Sequence, residues 1–347
     1  MNWQRRSLAL GLAACLLLGA LPGGASGAKK IRAVVFNVLY LAPLYVAKEN
    51  GFFAKEGLDV EMNSMKAGQL ATTALMAEEA EVSPSSDLRE YVLAGQKGKN
   101  LIRIYSVAKR MTMDLIVRKE VVAQKKLSRD MPLMERFKAL KGMRIGITVP
   151  GAATDVISRY YLEKAGLNPD RDAQLMPMGG ASLAPALRAG RIDAYMLSPP
   201  SPIWLERDGH GTIVIKSSAG DVPEFREWEY HGITVRKEWL QGNEDTARAL
   251  IRAMNAANNA WRGNMRMAVD ASQKYFTRVP RDIVQLSIES LKDSLSPDGV
   301  VKKIAVQQFF DLLQRSEPKK FPKSVLDVRE GVYYTNKYNP NYRGDAS

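Results

Sequence analysis

The chain has 347 residues, with 50 Lys and Arg against 37 Asp and Glu for a formal net charge of +13, and it contains one cysteine and two histidines. That length is enough for two cores, and the inventory excludes an internal disulfide framework and leaves little for zinc or thiolate chemistry. Basic residues are interspersed with acids, as in Lys119-Glu120 and Lys237-Glu238, so the excess reads as a solvated surface suited to an anionic cell envelope, with no nucleic-acid partner.

At the amino end, Arg5 and Arg6 precede an apolar run from Leu8 to Leu21 and the small residues Gly23-Gly24-Ala25-Ser26-Gly27-Ala28. A basic start, an apolar core and small residues at the cut predict a secretory signal peptide over residues 1–28, cleaved after Ala28. The run is shorter than the roughly 18 residues of a membrane span. Leu12-Ala13-Ala14-Cys15 is an alternative processing site that would leave a lipidated Cys15, although Leu16-Leu17-Leu18 carries the apolar core past it. Arg5-Arg6 also opens a twin-arginine reading, with a poor match beyond the pair. Every version places the mature chain outside the cytoplasm, in the periplasm. Removing residues 1–28 takes away two arginines and no acid, so +13 becomes +11, and takes away the only cysteine.

Past the leader, apolar runs of strand length alternate with amphipathic segments, which predicts an α/β fold. Strands are expected over 31–36, 58–62, 101–107, 113–117, 143–147, 194–197, 212–215 and 232–235, with helices such as 69–77, 87–94 and 155–164 between them. Within 40–62, Pro43 sits in a first helical turn and Asn50-Gly51 ends that helix; Phe52-Phe53 plugs its base into the core, and Gly57 turns the chain into the next strand. A charged stretch without clear period, 121–134, separates the strand at 113–117 from a fresh start at Leu140-Lys141-Gly142-Met143-Arg144-Ile145-Gly146, which opens a second lobe. Beyond 235 the pattern turns helical, at 244–262, 265–276 and 300–314. The end from Thr335 looks loosely held, with Tyr333, Tyr334, Tyr338 and Tyr342 on the surface.

Ligands of such sheets bind where strands end and helices begin. Those loops are Asn37-Val38-Leu39-Tyr40-Leu41, Ser83-Pro84-Ser85-Ser86, Arg110-Met111-Thr112-Met113, Thr148 through Asp155, Met178-Gly179-Gly180-Ala181-Ser182 and Ser198-Pro199-Pro200-Ser201. From them come the candidate ligand contacts Asn37, Tyr40, Leu41, Ser85, Ser86, Thr112, Gly151, Ala152, Thr154, Gly180 and Ser198, joined by Tyr230 at a later strand entry. Several have a plainer account. Gly151 to Asp155 reads equally as an ordinary capped helix start, Ser85-Ser86-Asp87 as a cap, Met111 and Met113 as strand packing, and Tyr230-His231 as a half-buried strand entry. No serine has a base beside it in a nucleophile motif, no His and carboxylate cluster has metal spacing, and no phosphate loop follows the first strand. The expectation is recognition without catalysis, cofactor or metal.

Four phrases in order then give a resemblance. They are Pro43-Leu44-Tyr45-Val46-Ala47-Lys48-Glu49-Asn50-Gly51-Phe52-Phe53 with Glu56-Gly57-Leu58-Asp59-Val60; Leu140 to Gly146 with Pro150-Gly151; Ala186-Leu187-Arg188-Ala189-Gly190-Arg191-Ile192-Asp193-Ala194; and Ser198-Pro199. Over roughly residues 31–235 the chain resembles the periplasmic substrate-binding proteins of nitrate, sulfonate and taurine type ABC importers. The resemblance implies an α/β, two-lobed periplasmic binding protein fold (type II-like), each lobe a mixed, mostly parallel sheet flanked by helices. Lobe 1 would hold 29–118 and 230–347 and lobe 2 would hold 119–229, with hinge crossings near 117–122 and 217–229. It carries cleft roles onto Tyr40, Leu41, Ser85, Ser86, Thr112, Gly151 to Thr154 and Ser198. The stretch Glu78-Glu79-Ala80-Glu81-Val82-Ser83-Pro84 departs from the family pattern just before Ser85, and the absence of cysteine from the mature chain separates it from the thiamine-pyrimidine synthase branch.

The function implied is that of a monomeric extracytoplasmic receptor that delivers a small organic ligand to an ABC permease and ATPase in the inner membrane. The ligand would be sulfonate, carboxylate, aromatic or pyrimidine-like. The neutral loops favour a largely neutral or aromatic molecule with at most one anionic group on the Gly151 to Thr154 amides. Two alternatives remain open: a periplasmic lyase or dehydratase using Asp114, Asp155 or His231 as acid and base, and a ligand-sensing domain.

Overall fold

The computed structural model describes residues 27–65 and 68–344. The expected leader, Cys15 included, lies outside the described residues except for its last two positions. Among those residues no helix is long and apolar enough to cross a membrane.

Nine strands form, β1 Lys29–Phe36, β2 Leu58–Met65, β3 Leu101–Ala108, β4 Asp114–Arg118, β5 Arg144–Ile147, β6 Gln174–Pro177, β7 Ala194–Leu197, β8 Gly211–Lys216 and β9 His231–Arg236. In lobe 1, β1 and β2 pair in parallel from Lys29 opposite Leu58 to Phe36 opposite Met65, and β3 and β9 pair antiparallel. Val82 and Ser83 stitch the two pairs together, because the Val34 amide donates to Val82 O while Ser83 and Thr234 exchange both backbone bonds. Lobe 2 is a five-stranded sheet in the order β6-β5-β7-β4-β8, with β5 parallel to β6 and β7, and β4 antiparallel to β7 and β8.

The period of two along β4 assigns its faces. Ile116 joins Leu183, Leu187, Ile192 and Tyr195 under one side, and Leu115 and Val117 join Ile145, Tyr161 and Phe137 on the other. The phrases that carried the resemblance are scaffold. A Cβ on Gly146 would stand 2.5 Å from Leu183 and 2.7 Å from Ile192, so the absence of a side chain there lets those two residues pack directly on β5. Asp193 accepts from the Arg144 amide at 2.9 Å and its guanidinium at 2.7 Å, which fixes the entry of β7 beside β5. In the short helix Phe52–Lys55 that follows Gly51, Phe53 is buried, while Phe52 is only half-buried with Lys55 over its ring.

The structure departs from expectation in four places. β4 hydrogen-bonds to β7 and β8, so residues 114–118 belong to lobe 2 and the first crossing is 109–113, earlier than 117–122. A short apolar run cannot reveal which strand it will pair with. The stretch 121–134 holds parts of two short helices, Lys119–Lys125 and Leu133–Lys138, and β6 was not expected. The carboxyl end is held: Thr335 N donates to Arg103 O, Arg103 N donates to Tyr333 O, and Tyr334, Asn336 and Tyr338 are buried. Tyr334 and Tyr338 are therefore not on the surface.

Both crossings are tied to each other. Trp228 N donates to Lys109 O and Tyr230 N to Ala108 O, each at 3.0 Å. Asp114, fully buried, accepts from Ser218 N at 3.0 Å and Ser218 Oγ at 2.9 Å, and burial pushes its carboxyl up to about 7. Asp114→Ala leaves both Ser218 donors buried and unpaired. We expect it to lower unfolding free energy by about 2–4 kcal/mol, measured by urea denaturation, with Asp114→Asn costing less.

Candidate functional site

The lobes face each other with two helix N-termini, that of Leu88–Gly95 from lobe 1 and that of Ala153–Lys164 from lobe 2. Between them lies a cavity of about 30 Å³, lined by Asp87, Arg89, Met111, Ala153, Val156, Ile157, Trp228, Tyr230, Phe309, Leu312 and Leu313. Trp228 and Leu312 also line a second cavity of about 140 Å³, walled by Tyr160, Glu224, Phe225, Gln308, Asp311 and Arg315. Every part of the chain therefore reaches the cleft: lobe 1, lobe 2, both crossings and the helix Lys303–Ser316.

Asp87 is the N-cap of the lobe 1 helix, its Oδ1 accepting the Glu90 amide at 3.1 Å. Burial, and after it the charge of Asp87, push Glu90 up to about 8. Burial also raises Asp87, opposed by the Glu90 amide and then by Arg89 and Arg103. Arg89 reaches across to within 3.5 Å of where a Gly151 Cβ would stand, yet its guanidinium is bound to Glu317 at 3.1 Å.

Beneath Asp87 runs a polar network. Arg103, fully buried, donates to Glu229 at 2.8 Å, to Ser86 O at 2.7 Å and to the Tyr91 hydroxyl at 3.2 Å. Glu229 accepts in addition from Ser106 Oγ at 2.9 Å. Burial lifts the Glu229 carboxyl and Arg103 opposes it. His231 Nδ1 lies 3.4 Å from Ser86 O, and burial drives this imidazole down to about 3, so it stays neutral.

The expected contacts separate into three groups. Tyr230 and Ala153, the latter within the expected stretch Gly151 to Thr154, line the inner cavity; the Tyr230 hydroxyl lies beside Ser198 and Thr112, whose own hydroxyls are 2.7 Å apart and join the first crossing to the end of β7. Tyr40 stacks on His231 at 5.0 Å and meets Tyr230 edge-on at 5.7 Å, so it backs the site from a buried position, and Leu41 is in the core. Ser85 and Ser86 are buried, with Ser85 Oγ accepting the Phe36 amide at 2.9 Å and Ser86 Oγ the Thr72 hydroxyl at 2.7 Å. Asn37 is half-buried, with an Oδ1 that meets no donor among the described residues. Gly180, beside Thr148, opens the helix Gly180–Arg188.

The loop before the lobe 2 helix turns largely inward. Gly151 has φ +76, which favours glycine, and its amide donates to Asp155 Oδ2 at 2.7 Å. Thr154 Oγ1 accepts the Thr148 amide at 3.0 Å. Ala152 is the N-cap residue, and the amides of Ala153 and Thr154 have no acceptor inside the helix they begin. Sequence reasoning missed Asp87, Trp228, Phe309 and Leu312. Asp87 was visible as a cap and Met111 as a neighbour of Thr112, but nothing in the sequence marks Phe309 or Leu312 as facing a cleft.

Comparison with known proteins agrees with this architecture. The model of the NMT1-like family matches residues 24–274, and the chain belongs to that family. It is 27% identical over 313 residues to the putative binding protein YtlA of Bacillus subtilis, covering 87% of each chain. It is 24% identical over 275 residues to the nitrate/nitrite binding protein NrtA of a Nostoc species, covering 70% of this chain and 57% of that one. The crystal structure of the periplasmic aliphatic sulphonate binding protein SsuA from Escherichia coli superposes with a TM-score of 0.66 at 14% identity, covering 85% of this chain and 94% of the other. The fold is the two-lobed periplasmic binding protein fold.

The Arg103–Glu229 pair supports the floor of the cleft. Removing one member strands the other in a dry site, so Arg103→Met should cost about 3–5 kcal/mol. Adding Glu229→Gln should recover much of that loss, which a double-mutant cycle by chemical denaturation reads directly.

Proposed function

We propose that this protein is the extracytoplasmic solute receptor of an ABC importer, taking a small organic molecule into the cleft between its lobes and presenting it to an inner-membrane permease and its ATPase. The observation that carries this reading is the convergence of two helix N-termini, one per lobe, on a shared cavity beside two paired crossings. A ligand held by both lobes stabilises the closed arrangement by the difference in its affinity for closed and open forms, and the closed arrangement is what a permease can distinguish. Membership of the NMT1-like family and similarity to a nitrate/nitrite binding protein support it.

The chemistry of the site favours binding over turnover. Of the acid and base candidates, Asp114 is clasped by Ser218 at the crossing, Asp155 caps Gly151 and pairs with Arg159 at 2.9 Å, and His231 is a neutral ring stacked on Tyr40. None is free to move a proton onto a molecule in the cavity. Apart from Asp87 and Arg89, the walls of the inner cavity are aromatic, aliphatic and thioether groups, which suits an organic body better than a hydrated inorganic ion. An acceptor atom of that molecule would dock on the Ala153 and Thr154 amides, since the Gly151 amide is already taken.

Native mass spectrometry of protein purified from its own periplasm tests this reading. A retained small organic molecule, released unchanged on denaturation, is expected. Release of a chemically altered product, or tight binding of nitrate with no organic molecule, would contradict it.

A further inference from the structure

Resting on the receptor reading and deepening it, we propose that Asp87 selects the ligand class: the cleft takes a small molecule that presents a protonated amine or amidine to the Asp87 carboxylate. Asp87 is the single acidic residue lining the inner cavity, and it forms no ion pair among the described residues. The basic groups nearby are committed elsewhere. Arg89 holds Glu317 through Nη2 at 3.1 and 3.4 Å, and Arg103 holds Glu229. A bare anion entering this cavity would therefore meet a carboxylate without a free cation to offset it, whereas a cation would neutralise a charge already desolvated there.

The surrounding surfaces point the same way. Trp228, Tyr230 and Phe309 contribute aromatic rings to the walls and Met111 a thioether, which attract an organic cation by its charge as well as by its apolar area. Tyr230 lines the same cavity as Asp87, so the carboxyl and the aromatic walls border one space. A second mark of a ligand is Trp228 itself. It is 2% exposed, its indole N–H meets no acceptor among the described residues, and its ring lines both cavities. An acceptor atom on the same ligand would satisfy it. The inner cavity has room for a head group of one or two heavy atoms, so admitting a larger body requires the lobes to part.

The test uses the mature protein, unfolded and refolded to remove any molecule it carries. Thermal-shift screening compares benzylamine, choline and putrescine with benzoate, taurine and succinate, and with benzamide and benzyl alcohol; hits are then titrated on the native sequence and on Asp87→Asn. Asparagine caps helices as well as aspartate does, so the variant should melt as the parent does, and Asp87→Ser replaces it if it does not fold. Hits are expected among the amines, with affinity at least tenfold weaker in Asp87→Asn. Hits confined to the acids or neutral compounds, no amine hit, or an amine bound equally well by Asp87→Asn would overturn the assignment. An acid that binds and closes the lobes leaves the receptor reading standing. If neither these compounds nor an extract of the native periplasm binds, that reading falls with it.

Discussion

The structure depends on one buried ion pair more than on any other contact. Arg103 sits on β3, the last strand before the chain leaves lobe 1, and Glu229 lies where the chain comes back. Their bond at 2.8 Å therefore joins the two ends of the excursion into lobe 2. The same guanidinium holds Ser86 O, one residue before Asp87, and the backbone of Arg103 receives the carboxyl-terminal tail through Tyr333 and Thr335. Sheet, crossing, cleft floor and tail thus meet at one side chain. A charge in such a place is tolerated only because nearly every donor it owns finds an acceptor.

From that anchor the mechanics follow. The crossings at 109–113 and 217–230 are short, hydrogen-bonded to each other and clasped by Asp114 on Ser218, so lobe 2 is joined to lobe 1 through a narrow paired strap. A strap of this kind permits rotation about itself while it resists shear. The aromatic group Phe225, Trp228 and Phe309, with centroids 4.8 and 4.9 Å apart in sequence, packs beside the strap. Trp228 belongs to the crossing and also to the cavity walls, so a molecule that touches it senses the hinge directly.

The fold was legible because its signals are local. Pro43, Gly51, Gly57, Gly146 and Asp193 each fix a helix start, a turn or a close approach through their own chemistry, and their order along the chain identifies the architecture. The crossing was misplaced because β4 is an apolar run whose partners, β7 and β8, lie far along the sequence. The site was legible only in outline. Loops after strands do surround the cleft, but hydroxyls that looked available at Ser85, Ser86 and Thr154 are spent on neighbouring backbone or hydroxyl groups. Phe309 and Leu312 approach from a helix more than two hundred residues from Asp87. No pattern within one amphipathic helix says that part of its buried face meets a ligand instead of a core. Asp87 shows the limit most clearly, since a capping aspartate has one sequence signature whether or not its carboxylate also faces a cleft.

The central claim is that the two lobes close on a small organic molecule by turning about the paired crossings. Small-angle X-ray scattering tests it most directly, comparing the mature protein stripped of retained molecules with the same protein after the extracted molecules are returned. The account predicts a smaller radius of gyration on their return. Identical scattering curves with the molecule bound and removed would contradict it.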